Sequence, residues 1–144
     1  MIFQLKHPNS SNWQSSDADK ELKYLFEYNS YTYMGENGHY SLQFRDRGHV
    51  WTTEFEVIND RVMIWGIYPF RCMDQNYGNE FCNSVNLQSV MGAFVLYKAH
   101  LTYRTSADLF DAFSSMESLA RAIEYNASVM VHFWNRASEA SKCR

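Results

Sequence analysis

Glu54 and Glu56 are the pair in this chain best placed for acid–base chemistry, because two carboxylates two residues apart on a strand project to the same side. A charged outer sheet face explains them at least as simply. Glycoside hydrolysis would also need a sugar cleft, and the connections leave little chain to build one. Five histidines, at 7, 39, 49, 100 and 132, offer no H-E-x-x-H or comparable ligand spacing. His39 and His49 fall at predicted strand ends, and His132 shares with Arg136 a helical face that reads as solvated. Cys72, Cys82 and Cys143 contain no C-x-x-C pair and leave an odd count, so they read as reduced thiols, with Cys72 and Cys82 buried. Gly35-Glu36-Asn37-Gly38 joins strand-like pieces and opens no helix, which removes it as a phosphate loop. The reading is a non-enzyme: no catalytic residue, no cofactor and no metal ligand is expected.

The elements that must position any site follow from composition and period. A chain of 144 residues suits one domain with a real core. Apolar residues make up 46% and aromatic ones 17%, too many for a disordered chain. A net charge of -3, with Lys and Arg scattered singly, argues against a nucleic-acid groove, and a stacking RNA-binding sheet suffers from the same balance. No apolar run approaches the roughly 18 residues of a membrane span. The start, Met1 to Lys6, lacks the pattern of a signal peptide, so the expected residence is cytoplasmic.

Residues 1–16 are expected to form a loose polar leader, 17–137 a single α+β domain and 138–144 a tail. Asp17 is a plausible N-cap for a helix carrying Leu22, Leu25 and Phe26 and failing near Asn29-Ser30. Tyr31 and Tyr33 suggest a brief extended piece, ended by Gly35 to Gly38. Three strands follow. Tyr40, Leu42 and Phe44 alternate with polar residues, then Trp51, Thr53, Phe55 and Val57, then Val62, Ile64, Gly66 and Tyr68, with Pro69 as the stop. Pairing Arg45 with Val50, and Ile58 with Arg61, puts both apolar sets on one face; a one-residue slip in either hairpin destroys that agreement. A helix with Tyr77, Phe81 and Val85 on one side is expected to run to about Leu87. A second hairpin turns near Lys98-Ala99 with Tyr97 opposite His100. Ser114 and Glu117 form a capping box for a last helix, whose Phe113, Met116, Ala120, Ile123, Ala127, Met130, Trp134 and Ala137 recur every three or four residues. The predicted order is α-β-β-β-α-β-β-α, an antiparallel sheet with helices packed on it.

That phasing leaves an apolar set on the opposite sheet face. Met63, Trp65 and Ile67 turn outward from one strand, and Met91, Ala93, Val95 and Tyr97 from another, beside polar Ser41, Gln43, Arg45, Thr52, Glu54 and Glu56. Apolar patches rimmed by polar residues are typical of protein interfaces. The candidate partner or dimer surface is therefore Met63, Trp65, Ile67, Met91, Val95 and Tyr97. The competing reading is that a helix of the same chain covers them.

The element order with its long last helix resembles the YbjN family, whose fold is like that of type III secretion chaperones. The matching stretches are Tyr31 to Phe70, with Gly38-His39-Tyr40-Ser41-Leu42-Gln43-Phe44, and Asn83 to Leu109, with Ser89-Val90-Met91-Gly92-Ala93-Phe94-Val95. The likeness lies in spacing and strand-ending residues over roughly residues 17 to 137. Chaperones of that fold are acidic homodimers that hold an extended segment of a client, and the resemblance implies a similar mode here. The expected partners are thus a second copy and a client polypeptide. The alternative is a small-molecule binder or enzyme with a pocket between sheet and last helix, near Trp51, Tyr103 and Trp134.

Overall fold

The computed structural model describes residues 4–7, 18–88, 91–109 and 115–142. Along the chain these form α1 (Ala18–Tyr28), β1 (Met34–Glu36), β2 (His39–Asp46), β3 (His49–Ile58), β4 (Arg61–Arg71), α2 (Gln75–Asn86), β5 (Ala93–Tyr97), β6 (His100–Asp108), α3 (Ser115–His132) and α4 (Trp134–Lys142). The class is α+β, as the periodicity implies. The strands make one antiparallel sheet in the order β1-β2-β3-β4-β6-β5. The chain leaves β4, crosses as α2, enters the far edge as β5 and turns back to insert β6 beside β4.

All three hairpin registers argued from phasing are present: Phe44 faces Trp51, Phe55 faces Ile64, and Phe94 faces Tyr103. Turn chemistry supports them. Arg47-Gly48, between β2 and β3, takes positive φ at both residues, the two-residue hairpin conformation whose twist matches the strands, and Asn37-Gly38 does the same between β1 and β2. Lys98 and Ala99 adopt the same geometry at φ 51° and 66°, where a β-carbon is disfavoured. Gly35, at φ 116°, is required: a β-carbon there would run into the His39 carbonyl.

The helices pack on one face of the sheet. Phe26 of α1 meets Phe55 at 4.9 Å, Phe81 of α2 meets Phe94 at 5.3 Å, and Trp134 of α4 meets Tyr68 at 5.3 Å. Between α3 and the sheet, buried Asn126 donates from Nδ2 to the Tyr103 carbonyl at 3.0 Å and the Thr105 hydroxyl at 3.1 Å. Gly66 of β4 makes room for it: a β-carbon at that position would lie 2.6 Å from Asn126 Oδ1. Met116, Ala120, Ile123, Ala127, Met130 and Ala137 are all buried, as their spacing requires, and Trp134 is partly buried.

Several boundaries differ from expectation, each for a physical reason. The extended piece before the meander is a paired strand, β1, formed two or three residues later than Tyr31 and Tyr33 suggest, and Gly35 and Glu36 belong to it. Pro69 does not end β4, which continues to Arg71. Pairing with β3 has already stopped at Thr52–Ile67 and the β6 ladder is irregular between Ile67 and Arg71, so no ladder bond needs the missing N–H. Helix α2 buries Gly78, Phe81, Cys82 and Val85, leaving Tyr77 exposed. Asp74 caps it by accepting from the Asn76 N–H at 2.8 Å.

The last helix is two. The buried Tyr68 hydroxyl donates to the Met130 carbonyl at 2.9 Å, the acceptor that the Trp134 N–H would claim in an unbroken helix. The break at Phe133 drops Trp134 among His49, Trp51, Tyr68 and Phe70. Helix α4 then continues to Lys142 through most of the expected tail. Residues 4–7 of the expected loose leader are docked: Leu5 is buried, its N–H meets Glu124 at 2.7 Å, and Lys6 exchanges two 2.7 Å bonds with the Asn29 side chain. The rest of the leader assignment (1–3 and 8–16), the Asp17 cap, Phe113 and the Ser114 end of the capping box lie outside the described residues.

Candidate functional site

The sheet has a sealed face and a face that no described helix covers. On the sealed side Phe44, Trp51, Phe55, Ile64, Phe94 and Tyr103 are each at most 2% exposed. On the other, Met63, Trp65, Ile67, Ala93, Val95 and Tyr97 are half-buried against one another and their polar neighbours. The strand phase that assigns these residues to the outer face is therefore correct.

Their arrangement is not a single stripe. Strand β6 runs between β4 and β5, so Ile67 and Val95 flank Thr102, and Trp65 and Ala93 flank Arg104. Thr102 is fully buried on this outer face, its hydroxyl turned back to the His100 carbonyl at 3.1 Å. Trp65 and Tyr97 meet across β6 with ring centroids 5.5 Å apart. Met63 lies in a different row, opposite Glu56 on one side and Ser106 on the other. Met91 is a correction. It precedes β5, is 68% exposed, and borders a hollow beside α3 with Thr105, Ala107 and Tyr125, so it shares no surface with Val95 and Tyr97. Its alternation with Val95 implied a longer strand than pairing sustains.

Cations ride on both outer rings. The Arg104 guanidinium sits over Trp65 at 5.5 Å and the Lys98 ammonium over Tyr97 at 5.0 Å. The Tyr97 hydroxyl holds the exposed Lys98 ammonium above its ordinary pKa, and the Glu54 carboxylate adds to that effect. On the β3 side of Trp65 the face dips into a hollow of about 490 Å³, bordered by Met34, His39, Ser41, Glu54, Glu56, Trp65 and Tyr97. Cross-strand pairing sets His39 opposite Glu56 and Ser41 opposite Glu54. Among the described residues neither glutamate nor His39 forms a salt bridge within 4.0 Å. The sequence signal for this hollow was the hairpin register, which already pairs Ser41 with Glu54. Arg104 and Thr102 carried no signal, because their place depends on which strand inserts beside β4.

Two other hollows compete. One of about 610 Å³ lies beside α3 near Met91, but its charged groups are engaged: Arg121 pairs with Glu117 at 2.6 Å and Glu124 accepts from Leu5. The other, about 240 Å³, lies between α2 and α3 over Phe94, Tyr103, Tyr125 and Phe133, with the Tyr103 and Tyr125 hydroxyls 3.4 Å apart. Small-molecule sites generally span about 300–1,000 Å³, so this one is small. Tyr103 lines it, whereas Trp51 and Trp134 are packed in a separate ring cluster and border no part of it. The pocket expected from those three residues is thus not assembled as one.

The remaining chemical candidates separate. Cys72 and Cys82 are both buried as free thiols. Burial pushes the Cys82 thiol up to about 11, with Cys72 adding to the shift, so at neutral pH it is protonated and a poor nucleophile. His49 stacks on Trp134 at 4.2 Å, and His132 lies edge-on to Phe133 at 4.8 Å. Among the described residues no three His, Cys, Asp or Glu side chains converge in a way that could hold a metal ion, and no helix is long and apolar enough to cross a membrane. No family model, curated protein or solved structure matches this chain.

Proposed function

We propose that this protein is a non-enzymatic polypeptide-binding module whose working surface is the outer sheet face around Trp65 and Tyr97. The observation that carries the reading is the pair of half-buried rings, flanked by Met63, Ile67 and Val95, on a face that no described helix covers. A large aromatic on such a surface loses apolar area to water unless a partner occupies it, and Trp and Tyr dominate binding energy where they are buried by a partner. The chaperone-like mode implied by the YbjN resemblance is consistent with this: an extended client segment lies across the strands, and a second copy uses the same apolar rows.

The test is amide and indole chemical-shift mapping of the labelled protein with reduced, carboxymethylated lactalbumin as an unfolded polypeptide. Shifts are expected at Trp65, Ile67, Val95 and Tyr97, and Trp65→Glu removes them while leaving the circular dichroism unchanged. Shifts confined to the helix side overturn the reading. Sedimentation velocity on the same two proteins measures self-association, which Trp65→Glu is expected to weaken. The second reading, a small apolar ligand in the 240 Å³ hollow, is favoured by its four rings and paired hydroxyls. A concentration-dependent thermal shift with small phenols, abolished by Val129→Trp, would support it.

A further inference from the structure

We infer that the open half-edge of β6, Thr105 to Asp108, is a strand-addition site for an extended, uncharged segment of a partner polypeptide, with an apolar side chain at every second position. The inference rests on the polypeptide-binding reading and adds a backbone contact beside the outer face.

The register exposes this edge. β6 pairs with β4 as far as Asp108, opposite Arg61, but with β5 only as far as Arg104, opposite Ala93. Past Arg104, among the described residues, no strand lies on the β5 side. Successive residues of an antiparallel strand direct their backbone groups alternately to the two neighbours. The two-residue turn at Lys98-Ala99 makes Tyr97 and His100 a hydrogen-bonded pair, so the even-numbered residues of β6 face the β5 side. Leu109 obeys the same alternation, facing the other way to donate to the Asp60 carbonyl at 2.7 Å. The N–H and C=O groups of Ser106 and Asp108 therefore point along the vacant lane, and both residues are exposed. Unpaired ladder groups of this kind are a template for another strand.

The sheet's terminal strands offer less. At β5 the Asn86 side chain imitates a partner strand: the Phe94 N–H donates to Asn86 Oδ1 at 2.7 Å, and Asn86 Nδ2 donates to the Phe94 carbonyl at 2.9 Å. At β1 the residue whose groups would face outward is Gly35, and its φ of 116° turns them out of ladder alignment.

The hollow of about 610 Å³ beside α3 sets the side chains. Thr105 and Ala107 of β6 border it, with Ala122 and Tyr125 of α3 across from them. In an added strand of about four residues, those opposite Thr105 and Ala107 turn into this hollow. Those opposite Ser106 turn to the outer face and carry the pairing N–H. The charges around the edge are already matched: Arg61 with Asp108 at 2.7 Å, Arg121 with Glu117 at 2.6 Å, and Glu124 with the Leu5 N–H. An uncharged segment fits without leaving any of them unpaired. A second copy offering its own β6 half-edge would have to lay its β5 in the lane where Leu109 leaves, so the occupant is a separate polypeptide.

The experiment is chemical-shift titration of the isotope-labelled full chain with the blocked pentapeptide Ac-Thr-Val-Thr-Val-Thr-amide. Two further versions are N-methylated, one at both valines and one at the central threonine. The parent peptide is expected to shift the Ser106 and Asp108 amides and the Ala122 and Tyr125 side chains. With valines in the hollow, the threonine N–H groups face β6, so the valine-methylated peptide still binds. The threonine-methylated one should bind at least about tenfold more weakly. Ser106→Pro removes the outward donor without taking a bond from the β4 ladder, and Ala122→Phe fills the hollow; each should abolish the peptide shifts with circular dichroism unchanged. Equal weakening by both methylated peptides, or peptide shifts confined to Trp65 and Tyr97, overturns the edge site. So does a peptide that shifts nothing while lactalbumin still shifts the outer face, and in all three cases the polypeptide-binding reading survives. Absence of both peptide and lactalbumin shifts overturns both.

Discussion

The two faces of this sheet carry similar residues in different company. Both have a tryptophan, at 51 and 65, yet Trp51 is 1% exposed within a ring cluster while Trp65 is only partly buried. On the helix side several rings interlock near-perpendicularly, Phe44 with Phe55 at 89° and Phe70 with Trp134 at 87°, while Tyr68 stacks on Phe70 at 16°. The outer rings meet at a 35° tilt, with Arg104 over Trp65 and Lys98 over Tyr97. Packing quality, not residue type, separates a face that holds the fold together from one that is available to a partner.

The contrast can be broken most forcefully by truncating a ring on each side. Phe55→Ala is expected to cost about 3–5 kcal/mol, because its cavity would sit among Phe26, Phe44 and the sheet; Trp65→Ala is expected to cost about 1 kcal/mol. Equal shifts in urea midpoint would erase the distinction. A methyl group added on each face sharpens it further. Gly66→Ala pushes a β-carbon toward Asn126 and Met130, for a loss of about 1–3 kcal/mol, whereas Ala93→Val on the outer face should stay within about 0.5 kcal/mol. In an Asn126→Ala background the Gly66→Ala cost should shrink, a non-additivity that a double-mutant cycle reads directly.

Tyr68→Phe removes the hydroxyl that occupies the Met130 carbonyl, with an expected loss of about 1 kcal/mol and faster amide exchange at Trp134 and its neighbours. An unchanged exchange pattern would detach the helix break from Tyr68. Ala99→Gly at the strained turn is expected to give a gain of up to about 1 kcal/mol, since glycine adopts positive φ without a β-carbon penalty. A higher melting temperature with unaltered lactalbumin-induced shifts would show that the turn's strain is not needed by the outer face.

Local physics carried much of this molecule. Alternation with period two placed Phe44, Trp51, Phe55 and Ile64 inward, and the tight turns at Arg47-Gly48 and Asn59-Asp60 set the registers, because one slipped residue would have exchanged the faces. The same phase assigned Trp65, Ile67, Val95 and Tyr97 outward, so most of the candidate surface was legible from residue order alone. Met91 was misplaced because alternation persists past the point where pairing stops, and a period cannot report where a partner strand ends. Leu5 was missed because a single apolar residue has no period; only Glu124, 119 positions away, shows why it docks.

What the sequence determined by itself was each element's type and the side toward which its apolar residues face, since those follow from interactions within a few residues or across a tight turn. What tertiary structure decided was neighbourhood. It slid β6 between β4 and β5, set Arg104 over Trp65, brought Trp65 to Tyr97, and broke the last helix by giving the Met130 carbonyl to Tyr68. These are contacts between residues dozens of positions apart. Their energies arise only once the chain has closed, and no local pattern encodes them.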